Sequence, residues 1–99
     1  MLNIAKETNG AALTLGLEGR LDTTTAPDLE NVVKTELSGI SELNVDMTSL
    51  EYISSAGLRV LLSAQKVMNK QGTMTIKNAS EDVKEIFDVT GFSDILNIE

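Results

Sequence analysis

The sequence contains no cysteine and no histidine. Without cysteine, disulfides, thiolate catalysis and cysteine-based metal sites are excluded. Without histidine, the commonest general base and metal ligand is missing. Aromatic residues make up only 3% of the chain, so the core must be aliphatic. No apolar run approaches the roughly 20 residues of a membrane-spanning helix, and the N-terminus lacks the basic and apolar regions of a signal peptide. We therefore expect a soluble, cytoplasmic protein without a metal or other cofactor.

Basic residues are also scarce. The chain has 15 acidic and 8 basic side chains, which gives a net charge of −7. An acidic surface repels nucleic acid and anionic membranes, so we expect neither as a partner and no membrane insertion. A partner protein is expected to be basic where it docks, and the free chain to be monomeric.

The length of 99 residues fits one domain spanning positions 1–99. Its beginning predicts a β-hairpin, with strands at residues 2–7 and 11–18. Asn9-Gly10 between them is a strong signal for a two-residue type I′ turn, which needs positive φ at both central positions. One face of the second strand should be buried, because leucine recurs at every second position: Leu13, Leu15 and Leu17.

Helices and strands alternate in the rest of the chain. The first helix is predicted after Thr25, a candidate N-cap, with Pro27 in its first turn and Asp28 placed for a capping box. Strands are predicted at residues 43–47 and 73–77. A second helix is predicted at residues 55–70, with its buried face formed by Val60, Leu61, Ala64, Val67 and Met68.

A third helix begins after Ser80, a candidate N-cap, and ends at Gly91, with one short helical turn at residues 92–96. The resulting ββαβαβα order predicts an α/β fold. Its mixed four-stranded sheet combines the antiparallel hairpin with parallel strands, and three to four helices lie mostly on one face.

Two adjacent serines stand where the third strand gives way to the second helix. Ser54 and Ser55 are both good helix N-cap residues, and a cap hydroxyl is worth about 1 kcal/mol. A helix start also favours negative charge, so either hydroxyl can carry a phosphate there. Physical reasoning alone does not choose between the two serines or between the two roles. Gly57 is open as well, since it can serve packing or the close approach of another backbone.

Three catalytic or ligand-binding interpretations are weaker. A serine hydrolase would need glycine two residues before Ser55, where Ile53 stands, and its usual histidine base is missing from the chain. A nucleotide-binding loop would need a Lys-Ser/Thr pair, and Gly57 is a lone glycine. A carboxylate metal site would have to use three acids near strand ends or loops: Asp22, Asp46 and Glu51.

Four segments follow a known family pattern: Gly19-Arg20-Leu21-Asp22 with Thr25-Ala26 and Leu29; Val45-Asp46-Met47 with Leu50, Tyr52 and Ile53; Ser54-Ser55-Ala56-Gly57-Leu58; and Val83, Ile86-Phe87, Thr90-Gly91-Phe92 and Ile95. Together they resemble the STAS domain family, in particular its stand-alone bacterial anti-sigma factor antagonists. They cover nearly the whole chain in the family's order, and the Ser-Ser-Ala-Gly-Leu run is the most specific of them.

The resemblance implies a phosphorylation-controlled binding protein, not an enzyme. In the family, the unphosphorylated antagonist binds an anti-sigma factor, a serine kinase of the ATPase fold, and so frees a sigma factor. The kinase phosphorylates a serine of the antagonist, and a PP2C-type phosphatase reverses this. The matching position is Ser55. Ser54 stands where many members have Asp, and it is the second candidate because it offers another hydroxyl. Arg59 stands where many members have a small residue.

The resemblance also implies a partner-binding surface of seven residues: Asp22, Thr23, Ser54, Ser55, Ala56, Gly57 and Arg59. Asp22 follows a strand end predicted at Gly19, so we expect its carboxylate to be exposed for docking. Alternatively, Asp22 shapes its loop by bonding its own backbone, as Asp does in turns. The alternative function is that of a permanent, unphosphorylated STAS subunit in a transport or signalling assembly.

Overall fold

The computed structural model describes residues 1–99. Its elements are, in chain order, β1 (Leu2–Asn9), β2 (Ala12–Leu21), α1 (Ala26–Glu36), β3 (Glu42–Ile53), α2 (Ser55–Gln71), β4 (Thr73–Lys77), α3 (Glu81–Thr90) and a 3-10 turn (Phe92–Asp94). This order confirms the predicted α/β fold with three helices and a short final turn. No helix is both long enough and apolar enough to cross a bilayer.

The four strands form one mixed sheet in the order β1-β2-β3-β4. β1 and β2 are antiparallel, while β2–β3 and β3–β4 are parallel. Inward side chains from the strands join those of the helices in one core of 26 buried hydrophobic residues. The opposite face of the sheet is lined by small or polar side chains, among them Thr14, Gly16, Asn44, Asp46, Thr75 and Lys77. The predicted one-sided arrangement of the helices is thereby explained: only one face of the sheet is apolar.

The hairpin turn lies one residue later than predicted. Asn9 still pairs with Ala12, so the two central positions are Gly10 and Ala11. Only Gly10 has positive φ, at 61°. A type I′ turn centred on Asn9-Gly10 is therefore wrong, and positive φ at the first central position alone is the pattern of type II′.

β3 is much longer than the predicted strand at residues 43–47. The pairing of β3 with β2 shifts register twice, between Gly16 and Glu18 and between Gly19 and Arg20 of β2, and it continues after each shift. Local alternation after Met47 is broken by these irregularities, which explains why the sequence pattern hid the continuation. The extension carries β3 as far as Ile53, beside the last residue of β2.

Capping differs between α1 and α3. Ser80 caps α3 as predicted, because its hydroxyl accepts a hydrogen bond from the Val83 amide at 3.2 Å. Thr25 is the N-cap residue of α1 as predicted, but its side chain makes no capping hydrogen bond to the helix. The Thr25 hydroxyl instead accepts from the Asp22 amide and donates to the Arg20 carbonyl oxygen, both at 2.8 Å. Thr25 thus fastens the helix start to the end of β2.

The buried face of α2 follows the predicted spacing with one exception. Val60, Leu61, Ala64 and Met68 are buried, whereas Val67 is 37% exposed. Val67 borders an open groove between α1 and α2, so the helices leave it partly uncovered. The helical spacing of apolar residues therefore identifies the buried face of α2, but it does not show how far α1 covers that face.

Candidate functional site

The predicted site residues meet where β2 and β3 end side by side. The Ser54 amide donates a hydrogen bond to the Leu21 carbonyl oxygen at 2.8 Å. This bond fixes the start of α2 against the loop that begins with Asp22. Asp22 and Ser54, which are 32 positions apart in the chain, are thereby brought to one end of the sheet.

The two serines have different positions and different hydrogen bonds. Ser54 is the N-cap of α2: its backbone is extended, and its hydroxyl accepts a hydrogen bond from the Gly57 amide at 3.4 Å. Ser55 is the first helical residue, is exposed, and its hydroxyl makes no hydrogen bond within the chain. Capping is therefore assigned to Ser54, and the Ser55 hydroxyl is left free for chemistry.

Gly57 is buried against the core. A Cβ atom added at this position would lie 2.6 Å from Leu21 Cγ and 3.0 Å from Ile53 Cγ1. Glycine thus allows α2 to approach the ends of β2 and β3 closely. Gly57 is buried, so it has a packing role here, and its contact with a partner stays a prediction.

Asp22 is half-buried and bonded within its own loop, which corrects the expectation of a freely exposed carboxylate. Its Oδ1 accepts hydrogen bonds from the Thr24 hydroxyl at 2.8 Å, the Thr24 amide at 3.0 Å and the Thr25 amide at 3.2 Å. The Thr24 hydroxyl, followed by the two amides, holds the pKa of Asp22 below its ordinary value, against the opposing effect of desolvation. Asp22 therefore shapes its own loop, and its role in docking stays a prediction.

Arg20 and Tyr52 form a contact that the sequence analysis did not include in the site. They are direct neighbours across β2 and β3, and the Arg20 Cζ atom lies 4.5 Å from the centroid of the Tyr52 ring. Arg20 Nε also lies 3.9 Å from Asp22 Oδ2. Only the register of β2 against β3 reveals this contact, because Arg20 and Tyr52 are 32 positions apart in the chain.

Three further predicted site residues lie beside α1. Thr23, Ala56 and Arg59 line a shallow depression of about 240 Å³ between the first turns of α1 and α2, together with Ala26, Pro27, Glu30, Val60 and Ser63. Thr23 and Arg59 are exposed, and Ala56 is half-buried. The structure thus brings together six of the seven predicted residues at an accessible surface, with Gly57 beneath them.

We call this region the Ser55 surface, defined by Arg20, Asp22, Thr23, Tyr52, Ser54, Ser55, Ala56 and Arg59. These eight residues include two basic groups and one acidic group, so this surface is not acidic as expected, while the charge of the partner's docking surface stays a prediction. The acidity is concentrated elsewhere: residues 81–94 contain five acids and one lysine.

The alternative metal site does not assemble. No group of three or more histidine, cysteine, aspartate or glutamate residues is placed to hold a metal ion. Asp46 is instead bonded on the polar face of the sheet, where its Oδ1 accepts from the Thr48 hydroxyl at 2.6 Å and from the Asn78 side-chain amide at 3.2 Å. Its pKa is lowered mainly by the Thr48 hydrogen bonds.

Comparison with known proteins decides the family. The model of the STAS domain family matches residues 3–99. The chain belongs to the STAS domain family. An anti-sigma-B factor antagonist of Bacillus subtilis is 30% identical to this STAS protein over 99 residues, covering 98% of it and 90% of the relative.

Solved structures of the same fold agree with this assignment. An anti-sigma factor antagonist from Mycobacterium paratuberculosis has a TM-score of 0.89 at 19% identity, covering 99% of this chain and 85% of its own. The Bacillus cell fate determinant SpoIIAA in its phosphorylated form has a TM-score of 0.76 at 15% identity, covering 98% and 91%. The family match and the Bacillus subtilis relative confirm the prediction of a regulatory binding protein rather than an enzyme.

Proposed function

We propose that this STAS protein is an anti-sigma factor antagonist whose binding is controlled by phosphorylation of Ser55. In the unphosphorylated form it binds an anti-sigma factor serine kinase through the Ser55 surface and so frees a sigma factor. The kinase transfers the γ-phosphate of ATP to the Ser55 hydroxyl and dissociates. A PP2C-type phosphatase hydrolyses the phosphate ester and restores the binding form. The cycle belongs to the cytoplasm, where ATP and sigma factors are present.

The proposal rests on the different hydrogen bonding of the two serines: Ser54 caps α2, and the Ser55 hydroxyl has no partner within the chain. A hydroxyl that caps a helix is occupied by a backbone amide, and removing it weakens the helix start. Ser54 has that role, whereas the exposed Ser55 hydroxyl has no partner to give up. Ser55 can therefore be modified while the cap of α2 remains in place.

Electrostatics explains how a phosphate can stop binding without disturbing the fold. A phosphoserine carries about −1.5 to −2 charges at neutral pH. Within the domain that charge sits at the start of α2, where the helix dipole and free amide groups favour an anion. On the outside it changes the net charge of the Ser55 surface from positive to negative, so a partner fitted to the unmodified surface is repelled.

The rest of the Ser55 surface supplies shape and recognition in this proposal. The Asp22 loop is stiffened by its own hydrogen bonds, and the Arg20 side chain is held between the Tyr52 ring and Asp22. Groups ordered before binding lose less conformational entropy at an interface than mobile ones do. We therefore assign docking to Asp22, Thr23, and the exposed parts of Arg20 and Tyr52.

The test measures binding to the cognate anti-sigma factor kinase with and without ATP. Wild type should bind and then be released once ATP is added. Ser55→Ala should bind and stay bound, because it cannot accept the phosphate, and Ser55→Asp should bind weakly from the start. Ser54→Ala is the matched control: it should still be phosphorylated and released.

Two results would overturn the proposal. Binding of wild type that persists in ATP without modification would favour the permanent subunit of a transport or signalling assembly. Unfolding of Ser55→Asp would make Ser55 a structural residue. Circular dichroism of that variant separates loss of fold from loss of binding.

A further inference from the structure

Arg59 is the unpaired cation of the Ser55 surface. It is exposed on α2, and none of the three ion pairs of the chain includes it. Glu30 of α1 lines the same depression but is paired with Lys34 at 2.9 Å. The other acid nearby, Asp22, faces Arg20 and its own loop. Arg59 therefore has no engaged acidic partner in the unmodified protein.

The helix geometry directs Arg59 toward Ser55. The two residues are four positions apart, which places them one above the other on the same side of α2, with Cβ atoms about 5–6 Å apart. Side chains on a helix tilt toward its N-terminus, so the Arg59 side chain can reach back over the turn that begins with Ser55. Its side chain is long enough to place the guanidinium group beside an oxygen-bearing group on that serine.

We propose that Arg59 is the counter-ion of the phosphate on Ser55. The planar guanidinium group matches phosphate oxygens with two parallel hydrogen bonds, which a lysine cannot reproduce. The inference rests on the proposed function, since it takes Ser55 as the phosphoacceptor. Arg59 then acts as a positioning residue: it holds the phosphate over the start of α2 and is itself withdrawn from any partner.

The consequence is that one modification changes two features of the Ser55 surface. The phosphate adds negative charge, and its pairing with Arg59 neutralises the one cation of that surface that has no ion-pair partner. A small residue at position 59 would leave the phosphate to the helix start alone. Arg59 thus strengthens the contrast between the binding and non-binding forms of this particular chain.

The test needs no kinase. Phosphoserine is installed at position 55 by semisynthesis, and the second pKa of the phosphate is measured by ³¹P NMR over a pH titration. Paired with Arg59, the dianion should have a pKa about 0.2–0.4 units lower in wild type than in Arg59→Gln, given the usual strength of such helix pairs. Arg59→Lys should fall between them.

Lys66→Gln is the matched control. It removes one exposed cation from the same helix, 11 residues from Ser55 and so about 16 Å along the axis. That distance exceeds the screening length of about 8 Å at physiological salt, so the phosphate pKa should remain that of wild type. Equal values in wild type and Arg59→Gln would overturn the proposal. A lowered pKa in a protein that the kinase never modifies would support the contact and contradict the proposed function instead.

Discussion

The two serines at the start of α2 should differ in their effect on stability. Ser54→Ala removes the hydroxyl that accepts from the Gly57 amide, whereas Ser55→Ala removes a hydroxyl without a partner. Loss of a serine cap costs about 0.5–2 kcal/mol, and the length of this bond, 3.4 Å, favours the lower half of that range. For a domain of this size, about 0.5–1 kcal/mol corresponds to a Tm lower by roughly 2–8 °C.

Urea unfolding followed by circular dichroism, together with thermal melting, measures both variants. Ser80→Ala is the matched control, since Ser80 caps α3 through a shorter bond of 3.2 Å to Val83. It should cost at least as much as Ser54→Ala. Ser55→Ala should lie within about 0.5 kcal/mol of wild type, as surface substitutions usually do. If Ser55→Ala were as destabilising as Ser54→Ala, the assignment of cap and acceptor would be refuted.

Three further substitutions test the hydrogen bonds of the Asp22 loop, the close packing at Gly57 and the hydrophobic core. Asp22→Asn should be less stable than wild type at pH 7. The folded pKa of Asp22 is lowered, so its stabilisation is present above the unfolded value and is lost as the pH falls through the folded pKa. The difference in Tm should therefore narrow below about pH 4 and close once the pH is below the folded pKa, and a constant difference would contradict this. Gly57→Ala should destabilise the protein by up to about 2 kcal/mol in urea, because crowding against Leu21 outweighs the better helix propensity of alanine, and a more stable variant would count against the packing role. Phe87→Ala should cost about 3–5 kcal/mol, since the ring is fully buried, whereas Val89→Ala at an 80% exposed site should change little; equal costs would be incompatible with the described core.

Much of the fold follows from local patterns in the chain. Alternating leucines locate β2, helical spacing locates α2, and Ser80 with Gly91 brackets α3. These features depend on residues close together in sequence, where periodicity and capping chemistry operate.

The misplaced features depend on contacts between distant segments. The full length of β3 comes from pairing with β2 across its irregularities, which no local alternation in residues 48–53 reveals. Threonine is a common cap residue, but the Thr25 hydroxyl bonds to the Asp22 amide and the Arg20 carbonyl oxygen at the end of β2 instead. The site divides in the same way: the motif identifies the two serines, and only the backbone conformation of Ser54 tells which one caps.

The central claim is that Ser55, and not Ser54, accepts the phosphate. Its most direct test is fragmentation mass spectrometry of the wild-type protein after incubation with the cognate anti-sigma factor kinase and ATP. We expect a single phosphate on Ser55, unchanged in Ser54→Ala and absent from Ser55→Ala. A phosphate on Ser54, or modification that persists in Ser55→Ala, would contradict it.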